Sequence, residues 1–371
     1  MGVPLLDLVA QYQSIKDEVV PALMQVIERQ SFIMGPEVGL LEEAIGKRHQ
    51  AAHAIACASG TDAILLPLMT LRMQPGDEVI APAFTFFATA GAIHNAGGTP
   101  VFVEIDPATF CISADAVAAA ITPRTRAIVV VHLYGQMAEM ARIMALAAAH
   151  GLMVIEDGAQ SIGARQLVHG SWRTSGTIGT AGTLSFFPSK NLGGWGDGGM
   201  MLTNDEALGA RLRKLRVHGG AKQYHHEEVG INSRLDTVQA AVLLVKLAHL
   251  DDWNTRRRAR AARYLAAFTA HPAICPPRTA EGNEHIYHQY TIRVDDRDGL
   301  KAHLTAKGIG CAVYYPTALH LQPCFAHLGY RAGSMPITEA ASAQVISLPI
   351  YPELTDAQQD TVIDAVTSYY A

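Results

Sequence analysis

Short apolar runs alternate with helix-like stretches over the first two-thirds of the chain. Seven such runs occupy residues 54–59, 77–83, 99–105, 127–133, 152–157, 182–187 and 198–203. Several are continuous Val, Ile, Leu and Ala rather than alternating, which is typical of strands covered on both faces. Stretches of helical periodicity, such as 61–71 and 114–121, lie between most of them. This alternation predicts an α/β fold built on a mostly parallel, doubly wound sheet.

The pattern changes in the last third of the chain. A long helix, a strand, a second helix and a second strand are predicted in that order, at 238–268, 285–295, 298–308 and 311–316. The Pro-rich stretch 271–283 predicts a loop after the long helix. We therefore predict a large domain over 1–250 and a small C-terminal α+β domain over 251–371, with the boundary inside the long helix.

Candidate site residues stand where the apolar runs stop, because parallel sheets bind ligands outside the carboxyl ends of their strands. Ser59, Gly60 and Thr61 follow one strand and open a helix. They form either a plain N-cap or an anion cradle of free backbone N–H groups. Asp157 ends another strand and is expected to face the ligand, where it could bind a metal, orient a histidine or hold a protonated ring nitrogen. Glu156 is expected to point to the opposite face.

A single lysine, Lys190, lies between apolar residues and a Gly-rich run in TLSFFPSKNLGG, residues 183–194. It is a solvated loop cation, a phosphate clamp or a nucleophile, since burial lowers the pKa of a lysine and its neutral amine attacks carbonyls. The run GWGDGG at 194–199 matches the spacing of a dinucleotide fingerprint, but a strand-like run follows where that motif needs a helix. We interpret these glycines as a turn that lets the backbone pass close to a ligand.

Composition narrows the class of protein. The 371 residues are 49% hydrophobic, enough for a sizeable core, and the net charge of −5 gives no footprint for nucleic acid. We interpret the one basic cluster, 256–263, as a solvated helix face. Five scattered cysteines without a CxxC pair argue against a disulfide framework or a zinc site. No signal peptide or membrane-spanning run is evident, so we expect a cytoplasmic protein without a metal.

Four features together indicate one cofactor. They are the possible anion cradle at 59–61, the lone carboxylate of Asp157, the desolvated amine of Lys190 and the aromatic residues within 84–87. Pyridoxal phosphate (PLP) requires a phosphate cup, a partner for its pyridinium nitrogen, a Schiff-base lysine and a ring to stack on. The combination therefore favours PLP and the nucleophile interpretation of Lys190.

The chain resembles, nearly end to end, the DegT/StrS family of PLP-dependent nucleotide-sugar aminotransferases. The resemblance rests on MGPEVGLLEEAI, ASGTDAI, PAFTFFATAGAI, GGTPVFVEIDP, HLYGQ, VIEDGAQSIGA, SFFPSKNLG, GDGGM, YHHEEVGINSRLDTVQAA and SLPIYP. It implies the aspartate-aminotransferase architecture (fold type I): a mostly parallel seven-stranded sheet with helices on both faces and a smaller C-terminal α+β domain. It also implies a homodimer with active sites shared across the interface.

The resemblance implies roles for the matching cofactor residues. Lys190 is the expected Schiff-base lysine, and Asp157 the expected partner of the pyridine nitrogen. The residues expected to hold the phosphate are Gly60, Thr61, Ser185 and, from the neighbouring subunit, Asn232. The residues expected to flank the ring are Phe86 on one face and Ala159 and Gln160 on the other.

The substrate side is less well matched. The stretch YYPTALHLQ, 314–322, departs from the family, in which a proline-leucine pair often precedes the histidine position. Within it, Tyr315 and His320 are candidate substrate contacts.

The implied activity is amino transfer from L-glutamate to a keto group, with C3 favoured, of a dTDP- or UDP-linked sugar. Pyridoxamine phosphate would be the intermediate form of the cofactor. The likeness is greatest to the branch that acts on 3-oxo sugars, such as UDP-2-acetamido-2-deoxy-3-oxo-glucuronate or dTDP-3-oxo-6-deoxyhexoses. The alternatives are amination at C4 of a nucleotide-4-keto-6-deoxysugar, a PLP sugar dehydratase, which typically has histidine at the lysine position, and a non-enzymatic regulator.

Overall fold

The computed structural model describes residues 2–222 and 224–370. All seven apolar runs form strands of one seven-stranded sheet, as predicted. In chain order the strands are β1 (His53–Cys57), β2 (Glu78–Pro82), β3 (Thr99–Val103), β4 (Thr125–Val131), β5 (Met153–Asp157), β6 (Arg165–Val168), β7 (Ser171–Thr174), β8 (Ala181–Ser185), β9 (Gly199–Thr203), β10 (Asn283–Glu284), β11 (Tyr290–Arg293) and β12 (Val345–Leu348).

The large sheet has the order β1-β9-β8-β5-β4-β2-β3. Strand β9 runs antiparallel to both of its neighbours, and the other neighbouring pairs are parallel. Its strands are almost wholly buried, which matches their continuous apolar sequences. The mostly parallel sheet expected from the sequence is confirmed, and its parallel strands bring their carboxyl ends to one edge.

Helices pack around this sheet and continue into the C-terminal part. They are α1 (Leu8–Arg29), α2 (Pro36–His49), α3 (Gly60–Met69), α4 (Ala88–Asn95), α5 (Ala114–Ala120), α6 (Met140–His150), α7 (Glu206–Leu215), α8 (Thr237–Phe268), α9 (Arg297–Ala306), α10 (Pro336–Gln344) and α11 (Asp356–Tyr369). The predicted long helix is confirmed as α8. It contributes Leu250 to the core beneath the large sheet and Ala261, Tyr264 and Phe268 to a separate C-terminal core.

The C-terminal core includes one residue from the opposite end of the chain. Val3 is buried in it, and the Val3 N–H donates a hydrogen bond of 3.0 Å to the Gly308 carbonyl. The N-terminal segment therefore packs with the C-terminal unit, although the sequence pattern assigned it to the large domain. The boundary near residue 250 stays a prediction.

The first predicted strand of the C-terminal unit, 285–295, is shorter than expected. Only Tyr290–Arg293 forms a strand, which pairs antiparallel with β12. Upstream of it, the Ile286 N–H donates to the Gly135 carbonyl at 3.0 Å, and Tyr287 has a positive φ of 48°. These interactions hold the backbone away from β12, so residues 285–289 form no strand.

The second predicted strand, 311–316, is wrong. Only an isolated bridge between Ala312 and Ser347 forms there, and β12 supplies the second strand instead. After Ala312 the chain leaves the small sheet and places Tyr314 and Tyr315 against a cavity. The aromatic pair, which is typical of a strand, thus lines the cavity instead.

Candidate active site

A cavity of about 690 Å³ opens at the carboxyl ends of the parallel strands. Ser59, Asp157 and Ser185, at or just beyond the ends of β1, β5 and β8, line it. Its other walls come from the C-terminal part and the N-terminal segment, through Arg257, His288, Gln289, Tyr314, Tyr315, Leu348, Ile350, Leu5 and Leu6. Its volume lies in the range of small-molecule sites, roughly 300–1,000 Å³.

One end of the cavity is the N-terminus of α3. The Ser59 side chain accepts a hydrogen bond from the Asp62 N–H at 3.1 Å, so it acts as the N-cap. The first N–H groups of the helix, at Gly60 and Thr61, have no partner within the helix and suit an anion. A Cβ on Gly60 would lie 2.7 Å from the Ser185 Cβ, so only glycine lets Ser185 approach this closely. The cap and the anion cradle therefore coexist.

The glycines after Lys190 have the role inferred from the sequence. The run 194–199 leads into strand β9, and no dinucleotide-type helix follows it. A Cβ on Gly199 would collide with the carbonyl of Ser59. This glycine lets the strand pass directly behind the helix N-terminus that lines the cavity.

Asp157 is buried at the end of β5, with 5% of its surface exposed. Burial raises the pKa of its carboxyl group, and the hydrogen bonds that it accepts oppose this rise. The donors are the Ala159 N–H, 3.2 Å from Oδ1, and the Thr89 hydroxyl, 2.9 Å from Oδ2. These two bonds fix the carboxylate at the cavity wall, where it can pair with a cationic ring nitrogen.

Lys190 lies in the same cavity, and a turn bond of 2.8 Å from its N–H to the Phe187 carbonyl fixes its backbone. The residue is half-buried at the cavity wall, and the desolvation there lowers the pKa of its amine to about 8, while the carboxylate of Asp157 acts in the opposite direction. A substantial neutral fraction is therefore available near neutral pH, as a nucleophilic amine requires.

The predicted ring-flanking residues also meet at this cavity. Phe86, Ala159 and Gln160 line it, and the Phe86 ring centroid lies 6.1 Å from that of Tyr315. Gln160 accepts a hydrogen bond of 2.7 Å from the Tyr134 N–H and donates one of 3.0 Å to the Tyr315 hydroxyl. Tyr315 is thus held at the cavity wall, and its role as a substrate contact stays a prediction.

Two predicted site residues lie elsewhere. His320 does not line the cavity. It lies on a short 3₁₀ helix, and its side chain is buried, with Nε2 3.0 Å from Glu339 Oε1. It therefore does not reach a sugar bound in the cavity of the same chain. Asn232 is also outside the cavity and forms an isolated bridge with Val217. Its expected role concerns a neighbouring subunit, so that role stays a prediction.

Among the residues that sequence reasoning missed are Thr89, which holds Asp157, and Arg257 and His288, which line the cavity. A helical count would have found Arg257, because it shares the buried face of α8 with Trp253, Ala261 and Tyr264. The sequence predicts that the basic cluster, 256–263, forms a solvated helix face. That is right for Arg256 and Arg258, which are exposed, and wrong for Arg257.

The donor set of the cavity fits PLP. A helix N-terminus with two adjacent hydroxyl-bearing residues suits a phosphate, a buried carboxylate suits a pyridinium nitrogen, and a lysine of lowered pKa suits an aldehyde.

The described residues hold no group of three or more His, Cys, Asp or Glu side chains that could bind a metal. None of the helices in 2–222 and 224–370 is long and apolar enough to cross a membrane.

Comparisons with known proteins agree with this geometry. Residues 13–367 match the model of the DegT/DnrJ/EryC1/StrS aminotransferase family. A pleiotropic regulatory protein of Geobacillus stearothermophilus is 49% identical over 100% of this chain and 99% of its own length. A UDP-N-acetyl-3-dehydro-alpha-D-glucosamine 3-aminotransferase of Acidithiobacillus ferrooxidans is 45% identical over 96% of this chain and 95% of its own.

A solved structure extends the agreement to the fold. DesV of S. venezuelae, in complex with a ketimine intermediate, superposes with a TM-score of 0.96 at 43% identity, covering 99% of this chain and 98% of that one. The expected fold type I architecture is thereby confirmed. The chain belongs to the DegT/DnrJ/EryC1/StrS aminotransferase family, whose cofactor is PLP.

Proposed function

We propose that the chain is a homodimeric aminotransferase that moves an amino group from L-glutamate to the C3 keto group of a UDP- or dTDP-linked sugar. The observation that carries the proposal is the convergence of Lys190, Asp157 and the N-terminus of α3 on one cavity. The names of the relatives support the substrate class, since the Acidithiobacillus enzyme is a 3-aminotransferase of a UDP-linked sugar.

Each residue of the cavity has a defined task in this proposal. Bound PLP supplies an electron sink for the carbanion left when the amino donor loses its Cα proton. Asp157, oriented by Thr89 and the Ala159 N–H, keeps a negative charge beside the ring nitrogen. The Lys190 amine would hold the cofactor between turnovers and, once displaced by the donor, would take the proton from the donor Cα as a base and deliver it to the cofactor C4′ as an acid.

The remaining residues would bind the cofactor and exclude water from it. Gly60 and Thr61 donate backbone N–H groups to the phosphate, and the Ser185 hydroxyl adds another donor. Phe86 covers one face of the ring, with Ala159 and Gln160 on the other. Because these residues stand on strand ends and a helix terminus, they are positioned before the ligand binds.

Exposed apolar side chains support the homodimer. Phe86 and Phe187 line the cavity and are 57% and 52% exposed. Helix α1 exposes a further apolar set: Val9, Val20, Met24 and Ile27. Large apolar surfaces of this kind typically mark interfaces. A second copy would cover them and bring its Asn232 to the phosphate.

We place the protein in the cytoplasm, where its five free cysteines would stay reduced.

The presence of a lysine at position 190 disfavours the dehydratase alternative, and the intact pair with Asp157 disfavours a purely regulatory role. The Geobacillus relative is named as a regulator, so the distinction needs a direct test. A catalytic protein should be yellow when purified with PLP.

The substrate is tested by incubating the protein with L-glutamate and a panel of UDP- and dTDP-linked 3-keto and 4-keto sugars. Mass spectrometry would detect the amine, and NMR would locate it. We expect amination at C3 with release of 2-oxoglutarate. Amination at C4 alone would show that C4, not C3, is the position aminated. The proposal would be overturned if no sugar of the panel were aminated. Lys190→Ala should lose the reaction, while Lys47→Ala, at an exposed position on α2, should retain it.

A further inference from the structure

Arg257 is a buried cation that the proposed chemistry leaves without a task. It lies on α8 with 3% of its surface exposed, and it lines the cavity that holds Lys190. Its neighbours Arg256 and Arg258 project into solvent. Burying a guanidinium is costly unless its charge and its donors are satisfied, so its partners need to be accounted for.

Carbonyl oxygens satisfy only part of this side chain. Nη1 donates to three of them, at Tyr287, His288 and Ile350, over 3.2, 3.3 and 2.9 Å. Nε is buried without a partner, and Nη2 donates no hydrogen bond within the described part of the chain. The carbonyls anchor one edge of the guanidinium and leave donors over for a ligand.

The positive charge is compensated only in part. Ion pairs within residues 2–222 and 224–370 do not include Arg257, although Glu353 acts on it electrostatically from farther away. Burial lowers the pKa of the guanidinium to about 10, so it remains charged at neutral pH. A charged, anchored arginine at a cavity wall is complementary to an oxyanion.

Hydrogen bonds connect Arg257 with Asn191, the residue that follows Lys190. The carbonyl of His288 accepts a hydrogen bond from Arg257, and His288 Nδ1 lies 3.1 Å from Asn191 Oδ1. Asn191 follows Lys190 directly, and its amide group donates to Asn254 Oδ1 and to the Ile286 carbonyl. Because that carbonyl can only accept, Asn191 Oδ1 faces His288, which therefore carries its proton on Nδ1. Arg257 is thus tied to the segment that carries Lys190, and both residues line the same cavity and act electrostatically on His288.

We propose that Arg257 binds a carboxylate of the amino donor. The proposal rests on the proposed function, which requires an amino acid to place its Cα beside Lys190. The α-carboxylate is bonded directly to that Cα, whereas the diphosphate of a nucleotide sugar is separated from C3 by two ring carbons and an oxygen. An anion-binding group close to Lys190 therefore suits the amino acid better than the diphosphate.

The test follows the cofactor absorbance when the holoenzyme is mixed with amino donors in the absence of any sugar. Arg257→Gln, Arg257→Lys and the matched surface control Arg256→Gln are compared with the parent. The donors are L-glutamate, L-glutamine, which lacks the γ-carboxylate, and the α-amide of glutamate, which lacks the α-carboxylate. Displacement by glutarate, which carries two carboxylates and no amine, gives a binding measurement independent of turnover.

We expect Arg257→Gln to raise the half-saturating L-glutamate concentration at least about tenfold, since hydrogen bonds to charged groups carry effects of that size. The parent should discriminate between L-glutamate and the amide that lacks the carboxylate bound by Arg257, and the variant should lose this discrimination. The variant should also bind glutarate more weakly. Arg257→Lys, which keeps a cation beside the carbonyls, should retain part of the affinity. Arg256→Gln should behave as the parent.

The outcomes separate the two proposals. Unchanged L-glutamate saturation and unchanged glutarate binding in both Arg257 variants would overturn the role of Arg257 alone. The aminated holoenzyme is mixed in a second measurement with the nucleotide sugar alone, and a loss in the Arg257 variants that is confined to this half-reaction would also overturn the role, by assigning Arg257 to the diphosphate. A parent holoenzyme whose absorbance responds to no amino donor would overturn the proposed function itself.

Discussion

His132 donates a hydrogen bond of 2.8 Å from Nε2 to Glu156 Oε2, and neither side chain is exposed. The tautomer follows from the geometry, because the Ala138 N–H donates to His132 Nδ1 at 3.2 Å and leaves the ring proton on Nε2. Glu156 also accepts from the N–H groups of Gly176, Ile178 and Gly179. The carboxylate next to Asp157 in sequence is therefore fully engaged on the opposite face of β5.

Glu156→Gln should destabilise the fold. Burial opposes ionisation of Glu156, but the hydrogen bonds from His132 and the backbone prevail and lower its pKa. An amide would turn an NH₂ group toward donors, so we expect the free energy of unfolding to fall by about 2–3 kcal/mol. Denaturant unfolding measures this. The control Glu206→Gln removes a carboxylate that is 88% exposed and should change little. Equal stability of the two variants would contradict this account.

Asp157→Asn should retain PLP and lose turnover. The amide keeps the contact with Thr89 but removes the negative charge that keeps the ring nitrogen protonated, so we expect turnover to fall by about a hundredfold or more. Steady-state kinetics with L-glutamate measures the effect. Asp252→Asn, which removes an exposed ion pair with Arg256 on α8, serves as the matched control. Full activity of Asp157→Asn would show that the electron-sink role is assigned to the wrong residue.

Gly60→Ala should weaken phosphate binding. The new Cβ would lie 2.7 Å from the Cβ and 2.9 Å from the Oγ of Ser185, so the helix N-terminus and that hydroxyl cannot both keep their places. We expect the PLP dissociation constant, from absorbance titration of the apoprotein, to rise at least about tenfold, as for the loss of hydrogen bonds to a charged group. Gly39→Ala on α2 meets nothing within 4 Å and should leave it unchanged. Equal affinity of the two variants would remove Gly60 from the phosphate site.

The stability of the apoprotein should rise between about pH 8 and 10.5 because of Lys190. Its pKa is lowered from 10.5 to about 8 by burial, so within this window the unfolded chain binds a proton that the folded chain does not. The folded state bears the full cost of a buried ammonium below pH 8 and is relieved of it as the pH rises. Unfolding free energies at pH 7.5 and 9.5 should therefore differ more in the parent than in Lys190→Met. An identical pH dependence of the two proteins would show that the amine is not desolvated.

The sequence predicts the large sheet well, because strands buried on both faces leave continuous apolar runs that only this architecture accommodates. It also predicts that Lys190, Asp157 and Gly60 lie together, since each follows or ends such a run, and the three residues do line one cavity, while their roles stay predictions. It fails at Tyr314 and Tyr315, where aromatic residues typical of strands instead line a cavity. Contacts made between distant segments decide that outcome, and local periodicity does not record them.

The attachment of the cofactor tests the central claim most directly. Borohydride reduction of the PLP-loaded protein fixes the cofactor covalently to the amine that holds it, and peptide mass spectrometry then locates the label. We predict a phosphopyridoxyl group on Lys190 alone. Lys246 provides an internal control, because burial also lowers its pKa to about 8, while its amine donates a hydrogen bond to the Gly193 carbonyl and lies outside the cavity. A label on Lys246 or another lysine, or no label in a protein that binds PLP, would contradict the account.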